Sequence, residues 1–250
     1  MRCLAGWLRV SLLSSSTMAQ LGEQGPSLSN ALMDARAACA DIPLGPEQNP
    51  LVIGVLGDSN SSAQIASSNW PMRLELRIGN PNIQVQNLSQ AGSVAAPVHP
   101  LGPAQSRLTG PSQLRRVLVF GIDLLVIRLG KNDLKDGALV SVVLNDLISL
   151  HLTALLGGVH PEDIRICLVS PFKDPFPGWE QLNTKVLALN QGILDTFGDA
   201  NVIDTFSFYA ADPDLFLKPD GLHSSMASRE PCAILAQAAV CGQLARRRRR

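Results

Sequence analysis

The sequence predicts an α/β fold: a central, mostly parallel sheet of five strands with helices covering both faces. Three observations predict it. Five apolar runs of strand length recur along the chain, helix-length stretches separate them, and short fragments rich in Gly, Asp, Ser and Asn follow several runs. A strand that reads as a continuous apolar run is buried on both faces, as in a parallel sheet sandwiched by helices.

The strands are expected at residues 51–56, 83–88, 124–129, 164–169 and 202–206. Helices are expected over about 61–78, 137–156, 179–197 and 226–245. Within 145–156, the positions of Leu147, Ile148, Leu150, Leu152 and Leu155 follow helical spacing. Residues 95–112 contain four prolines and read as a long surface loop. There is no internal repeat, so one α/β domain over 48–245 is the economical organisation.

Composition bounds the class. The chain has 250 residues, of which 46% are apolar and 17% charged, a balance that excludes a disordered solvating chain. No uninterrupted apolar stretch reaches the roughly 18–20 residues of a membrane-spanning helix. Five cysteines, at 3, 39, 167, 232 and 241, form no C-x-x-C pair and suit neither a disulfide scaffold nor a zinc site. The formal net charge of zero is a composite. Five of the 21 basic residues form the run Arg246 to Arg250, and Arg2, Arg9 and Arg36 lie near the start. The body between them is acidic, which argues against nucleic acid as its partner.

Residues 1–22 contain no acid, three consecutive serines and two arginines. A secretory signal interrupted by Arg9, a transit peptide, and an unprocessed start with Met18 as a second initiator all fit that composition. Residues 1–47 are therefore read as a leader, a possible targeting segment followed by a linker. Localisation stays open between cytoplasmic and exported or organellar. Residues 246–250 are read as a polyarginine tail.

Function in open α/β sheets collects at the carboxyl ends of the strands. Gly57-Asp58-Ser59-Asn60 follows the first strand and Asn87-Leu88-Ser89-Gln90-Ala91-Gly92 the second. Gly130-Lys131-Asn132-Asp133 follows the third, and Asp220-Gly221-Leu222-His223 lies beyond the last. Each fragment alone reads equally as a turn or a cap; four in this order form a pattern.

That pattern resembles the SGNH hydrolases, the GDSL-type esterase and lipase superfamily. Their four blocks centre on a Ser, a Gly, an Asn and a His, here Ser59, Gly92, Asn132 and His223. The likeness covers roughly 51–240 and extends to Trp70-Pro71 and Ser170-Pro171. The first block departs from the usual pattern at Asn60, where Leu is common. The resemblance implies a three-layer α/β/α, flavodoxin-like sandwich and a hydrolase acting on an ester or thioester. It assigns the oxyanion donors to the backbone N–H groups of Ser59 and Gly92 and the side-chain amide of Asn132.

The residues support this chemistry independently. A serine hydroxyl needs a base to take its proton as it attacks. His223 is the natural base, and Asp220, three residues earlier, can fix its tautomer and stabilise imidazolium. Gly57 is expected to let the backbone turn sharply, and a helix starting near residue 61 to aim N–H groups at the Ser59 oxygen. Asp58 and Asp133 are expected to bond nearby loop backbone. His151 reads as a partly buried packing residue, His160 as a loop residue, and Cys167 as an inert core thiol. His99, in the proline-rich loop, is a weaker candidate for the pocket lining.

Rival motifs are absent: there is no G-x-S-x-G elbow, H-E-x-x-H, Walker loop or G-x-G-x-x-G. No metal or organic cofactor is implied. The leading reading is a serine hydrolase acting on a small acyl ester through an acyl-enzyme. An acyltransferase using the same site and a catalytically silent binding module remain as alternatives. Loops 93–112 and 171–179 carry Val94, Val98, Leu101, Phe172, Phe176 and Trp179, which lean toward an apolar substrate group; equally, Phe176 and Trp179 can pin their loop to the core. Sequons at Asn60 and Asn87 lie too near the site for a glycan, so neither is read as used.

Overall fold

The computed structural model describes residues 50–62 and 69–247. The leader over 1–47 and Arg248 to Arg250 of the tail lie outside the described residues. Five parallel strands form one sheet: β1 (Leu51–Gly57), β2 (Ile83–Asn87), β3 (Leu124–Arg128), β4 (Ile164–Cys167) and β5 (Val202–Ile203). Their order is β2-β1-β3-β4-β5. Every residue of β3 and β4 is buried, as central strands of a covered sheet require.

Alternation along each strand divides the core in two. Ile53, Val55, Leu124, Val126, Cys167 and Ile203 face one side. There they meet Trp70, Leu74 and Ile78 of α1 (Trp70–Ile78), Phe208 and Tyr209 of α6 (Thr205–Ala211), and Cys232, Ala233, Ala236 and Val240 of α8 (Arg229–Arg247). Leu56, Leu125, Ile127, Ile164 and Ile166 face the other side. They meet Leu114 and Val117 of α2 (Gly110–Leu118), Val143, Leu147, Leu150 and Ala154 of α4 (Val140–Leu156), and Val186, Leu189 and Ile193 of α5 (Trp179–Phe197). The result is the expected α/β/α sandwich. The short helices α3 (Lys131–Lys135) and α7 (Pro213–Phe216) complete the set.

Four boundaries differ from expectation. The first helix begins at Trp70, where Asn69 caps it by accepting the Met72 N–H and Pro71 occupies the first turn; residues 59–61 form a turn instead. Over 137–156 the helix α4 starts only at Val140, and the separate short helix α3 ends before that stretch. The loop over 95–112 contains a 3₁₀ segment, Pro103–Leu108, and gives way to α2, capped by Thr109 with Pro111 behind it. Finally, β5 stops at Ile203 because Asp204 accepts the Ser207 N–H and starts α6, so Phe206 is helical.

The other side-chain expectations divide as follows. His151 stacks against Phe197 with ring centroids 5.2 Å apart, and His160 pairs with Glu162 at 3.4 Å in its loop. Cys167 is buried, and burial pushes its thiol up to about 12 although Arg128 opposes the shift. Cys167 and Cys232 are free, while Cys241 is disulfide-bonded. Among the described residues no helix is long and apolar enough to cross a membrane.

Candidate functional site

The strand order reverses direction between β1 and β3, and a crevice opens at such a switch point beyond the carboxyl ends. Ser59 follows β1 and Asn132 follows β3, so both stand at that crevice. Ser59 and His223 line one narrow cleft, together with Asn60, Asn69, Lys218 and Arg229.

The turn that carries Ser59 is built from its own block. Asp58 is buried and accepts the Asn60 N–H at 2.8 Å, and its carbonyl accepts the Ser61 N–H at 3.1 Å. Ser61 Oγ in turn accepts the Trp70 indole N–H at 2.8 Å. Gly57 is required for close approach rather than for a sharp turn: a Cβ there would lie 2.8 Å from Ser61 and from Ser89 Oγ. Residues 59–61 form a turn, and residues 63–68, over which the expected helix would run, lie outside the described residues.

Asp220 and His223 are paired. The His223 Nδ1–H donates to Asp220 Oδ2 at 2.7 Å, while Asp220 Oδ1 accepts the backbone N–H groups of Leu222 and His223, each at 2.9 Å. Burial alone would raise the Asp220 carboxyl. The His223 backbone N–H, its ring, and the Leu222 N–H outweigh that and bring it down to about 2. Gly221 makes this turn possible: its φ is +70°, and a Cβ would sit 2.0 Å from the Lys173 carbonyl oxygen. The pair leaves Nε2 of His223 free of the carboxylate. Among the described residues no hydrogen bond joins the Ser59 hydroxyl to His223.

Gly92 has a φ of +81°, so its loop needs a glycine for conformation. Among the described residues no hydrogen bond occupies the N–H of Ser59 or of Gly92. Asn132 is buried, and one of its amide hydrogens goes to the Ser93 carbonyl at 2.9 Å, tying the third block to the second. Asp133 accepts the N–H groups of Ala95 and Ala96, the structural role expected of it; burial raises its carboxyl against those two bonds.

Gln113 escaped the sequence reading, and His99, Asn60 and Lys131, which it named, take roles it did not give them. Gln113 of α2 binds Gly57 through both its N–H and its carbonyl and donates to Ser93 Oγ at 2.7 Å. His99 accepts the Leu101 N–H at Nδ1, so its Nε2–H donates to the Gly92 carbonyl at 3.1 Å; it props the loop instead of lining the pocket. Asn60, where Leu is common, accepts the Ser224 N–H through Oδ1 at 2.7 Å, joining the first block to the fourth. Lys131 is buried, with Nζ bonded to Ser170, Pro171 and Leu222. Burial brings its ammonium down to about 7; Asp58 and Asp220 oppose that shift, and Arg128 adds to it.

Both sequon asparagines are engaged. Asn87 Nδ2, the atom that a glycan would use, donates to the Ser61 carbonyl at 2.9 Å, and Asn60 is the acceptor just described. Phe176 and Trp179 pack against the core beside the buried Phe172. Trp179 and Phe172 also line a cavity of about 480 Å³ with Leu187 and Phe206, whose rim carries Lys173, Asp174 and Asp214 and which none of the four blocks lines. Among the described residues no three His, Cys, Asp or Glu side chains gather as metal ligands would.

No family model and no curated relative matches the sequence. Solved structures share the fold. A member of the lipolytic G-D-S-L family from Veillonella parvula superposes with a TM-score of 0.56 at 16% identity, over 74% of this chain and 96% of that one. A lipase/acylhydrolase from Enterococcus faecalis gives 0.56 at 19%, over 77% and 96%. A GDSL-like lipase from Bacteroides thetaiotaomicron gives 0.55 at 15%, over 86% and 98%. At such identities the likeness is one of architecture: a five-stranded parallel sheet between two helix layers.

Proposed function

We propose that this chain is a serine hydrolase that cleaves carboxylic esters or thioesters through an acyl-enzyme. The observation that carries the reading is the 2.7 Å pair of Asp220 and His223 in the cleft that Ser59 also lines. With Nδ1–H held by Asp220, His223 presents Nε2 as the base. It takes the Ser59 proton as Oγ bonds to the substrate carbonyl carbon, and the carbonyl π electrons move onto oxygen. The N–H groups of Ser59 and Gly92 and the remaining amide hydrogen of Asn132 receive that oxyanion. The intermediate then expels the alcohol or thiol, which takes the proton from His223. Water, deprotonated by the same nitrogen, attacks the acyl carbon, and Ser59 leaves with its proton restored.

The fold shared with structures described as lipases and an acylhydrolase supports an acyl substrate, and the apolar residues of loops 93–112 and 171–179 lean toward an apolar acyl group. A fluorophosphonate probe tests the reading. Labelling is expected at Ser59 and is abolished in Ser59→Ala; a folded wild type that takes no label overturns it. p-Nitrophenyl esters of increasing chain length test the acyl preference, and turnover of acetyl alone would remove it.

A further inference from the structure

The third block carries a buried cation that the proposed chemistry does not use. Lys131 is 3% exposed, and its ammonium donates to Pro171 O at 2.7 Å, Leu222 O at 2.8 Å and Ser170 Oγ at 3.2 Å. It also lies 4.7 Å from the centre of the Phe172 ring. Three N–H groups thus meet three acceptors, two of them main-chain carbonyls from separate segments. Burying an ammonium is expensive even when satisfied, and an apolar side chain would fill the same space at lower cost. What an apolar side chain would not do is hold the carbonyl immediately before His223.

The bonds within the 218–223 turn are local. Lys218 N–H bonds His223 O, Gly221 N–H bonds Lys218 O, and Asp220 binds the two residues that follow Gly221. These shape the turn without placing it over the sheet. Placement comes from distant partners: the Lys173 N–H on Gly221 O, Asn60 on the Ser224 N–H, Tyr209 Oη on Ser224 Oγ, and Lys131 on Leu222 O. Of these, Lys131 is the charged one. Asp58 of the nucleophile turn, Arg128 of β3 and Asp220 of the turn itself are the charges it faces.

We propose that Lys131 is a positioning residue: by bonding Leu222 O, the carbonyl immediately before His223, it sets where His223 stands relative to Ser59. This rests on His223 being the base of the proposed hydrolase.

The test compares Lys131→Met, which removes bonds and charge, with Lys131→Gln, which keeps a donor without charge. Ester turnover and the His223 ring resonances by NMR are both followed. Lys131→Met is expected to lower kcat by about 10- to 100-fold with KM held within about threefold, as for misplacement of a catalytic group. Lys131→Gln recovers part of that loss. The His223 ring resonances shift in both variants, further in Lys131→Met. A folded Lys131→Met protein with wild-type kcat or with unmoved His223 resonances overturns the proposal; if that variant does not fold, the same two readouts on Lys131→Gln decide. Absence of turnover in wild type overturns the hydrolase reading instead, and the NMR resonances still test the link from Lys131 to His223.

Discussion

Gln113 grips Gly57 by both of its peptide groups: Oε1 accepts the Gly57 N–H at 3.0 Å, and Nε2 donates to the Gly57 carbonyl at 3.1 Å. The amide thus does for the last residue of β1 what a neighbouring strand would do. It holds the backbone two residues before Ser59, and its bond to Ser93 Oγ holds the loop that carries Gly92. Replacing Gln113 by Leu keeps the bulk and strands the buried Gly57 N–H, while the Gly57 carbonyl keeps the Gln90 N–H at 3.0 Å. A loss of about 1–3 kcal/mol in unfolding free energy is expected for the unsatisfied group. Urea denaturation checks it, and an unchanged midpoint would refute the clamp.

Within the proposed hydrolase, Asp220→Asn leaves an amide facing His223 and favours the wrong tautomer. A fall in kcat of about 10³–10⁴ is expected, close to that of His223→Ala, because the two act as one unit. Steady-state kinetics on a short p-nitrophenyl ester reads both variants. Additive losses in the double variant would argue against the pairing.

In the proposed mechanism Asn132→Ala removes a donor for the oxyanion, and it also removes the bond to Ser93 O. The expected loss in kcat is about 10²–10³. Because the intermediate, rather than the substrate, needs this donor, kcat should fall much more than KM rises. An effect confined to KM would place Asn132 outside the oxyanion site.

Gly221→Ala meets two obstacles together, a φ of +70° and a Cβ only 2.0 Å from the Lys173 oxygen. The loop must move to admit the methyl group, carrying Asp220 and His223 with it. A destabilisation of more than about 1–3 kcal/mol is expected from the conformation and the clash combined. Thermal melting measures it; a melting temperature within a degree or so of wild type would show that the turn is freer than described.

The Asp220 carboxyl, about 2 when folded, lies below its ordinary value of 3.8. A carboxylate depressed by folding contributes stability that is fully present above the unfolded value and is lost as pH falls through the folded one. Acid unfolding of wild type should therefore steepen as pH drops from about 4 toward 2. Asp220→Asn should flatten that part of the curve. Superimposable acid limbs for the two proteins would count against the shift. The side chain is 45% exposed, so solvent screening keeps the contribution small.

Much of the architecture was legible in the sequence because its determinants are local. The runs that became β1, β3 and β4 are mostly apolar, and 179–197 emerged with the boundaries its pattern predicts. The Asp220–His223 pair was legible for the same reason: three residues of separation fit within one turn. The helix α2 was missed because the four prolines of 95–112 dominated the reading, although Thr109, Pro111, Leu114 and Val117 carried a cap and an apolar face. The short β5 shows the same limit, since a capping Asp204 outweighed the apolar character of Phe206.

What the sequence alone determined is the layered α/β fold and the succession of four blocks at strand ends. Both follow from hydrophobic period and turn chemistry acting over a few residues. What only the tertiary structure decided is how the blocks are held to one another. Gln113 reaches Gly57 across 56 positions, Lys131 reaches Leu222 across 91, and Asn60 reaches Ser224 across 164. Hydrogen bonds at such separations exist because packing two helix layers on one sheet brings the strand ends together. A single polar side chain carries no local mark of the distant main-chain group it will satisfy.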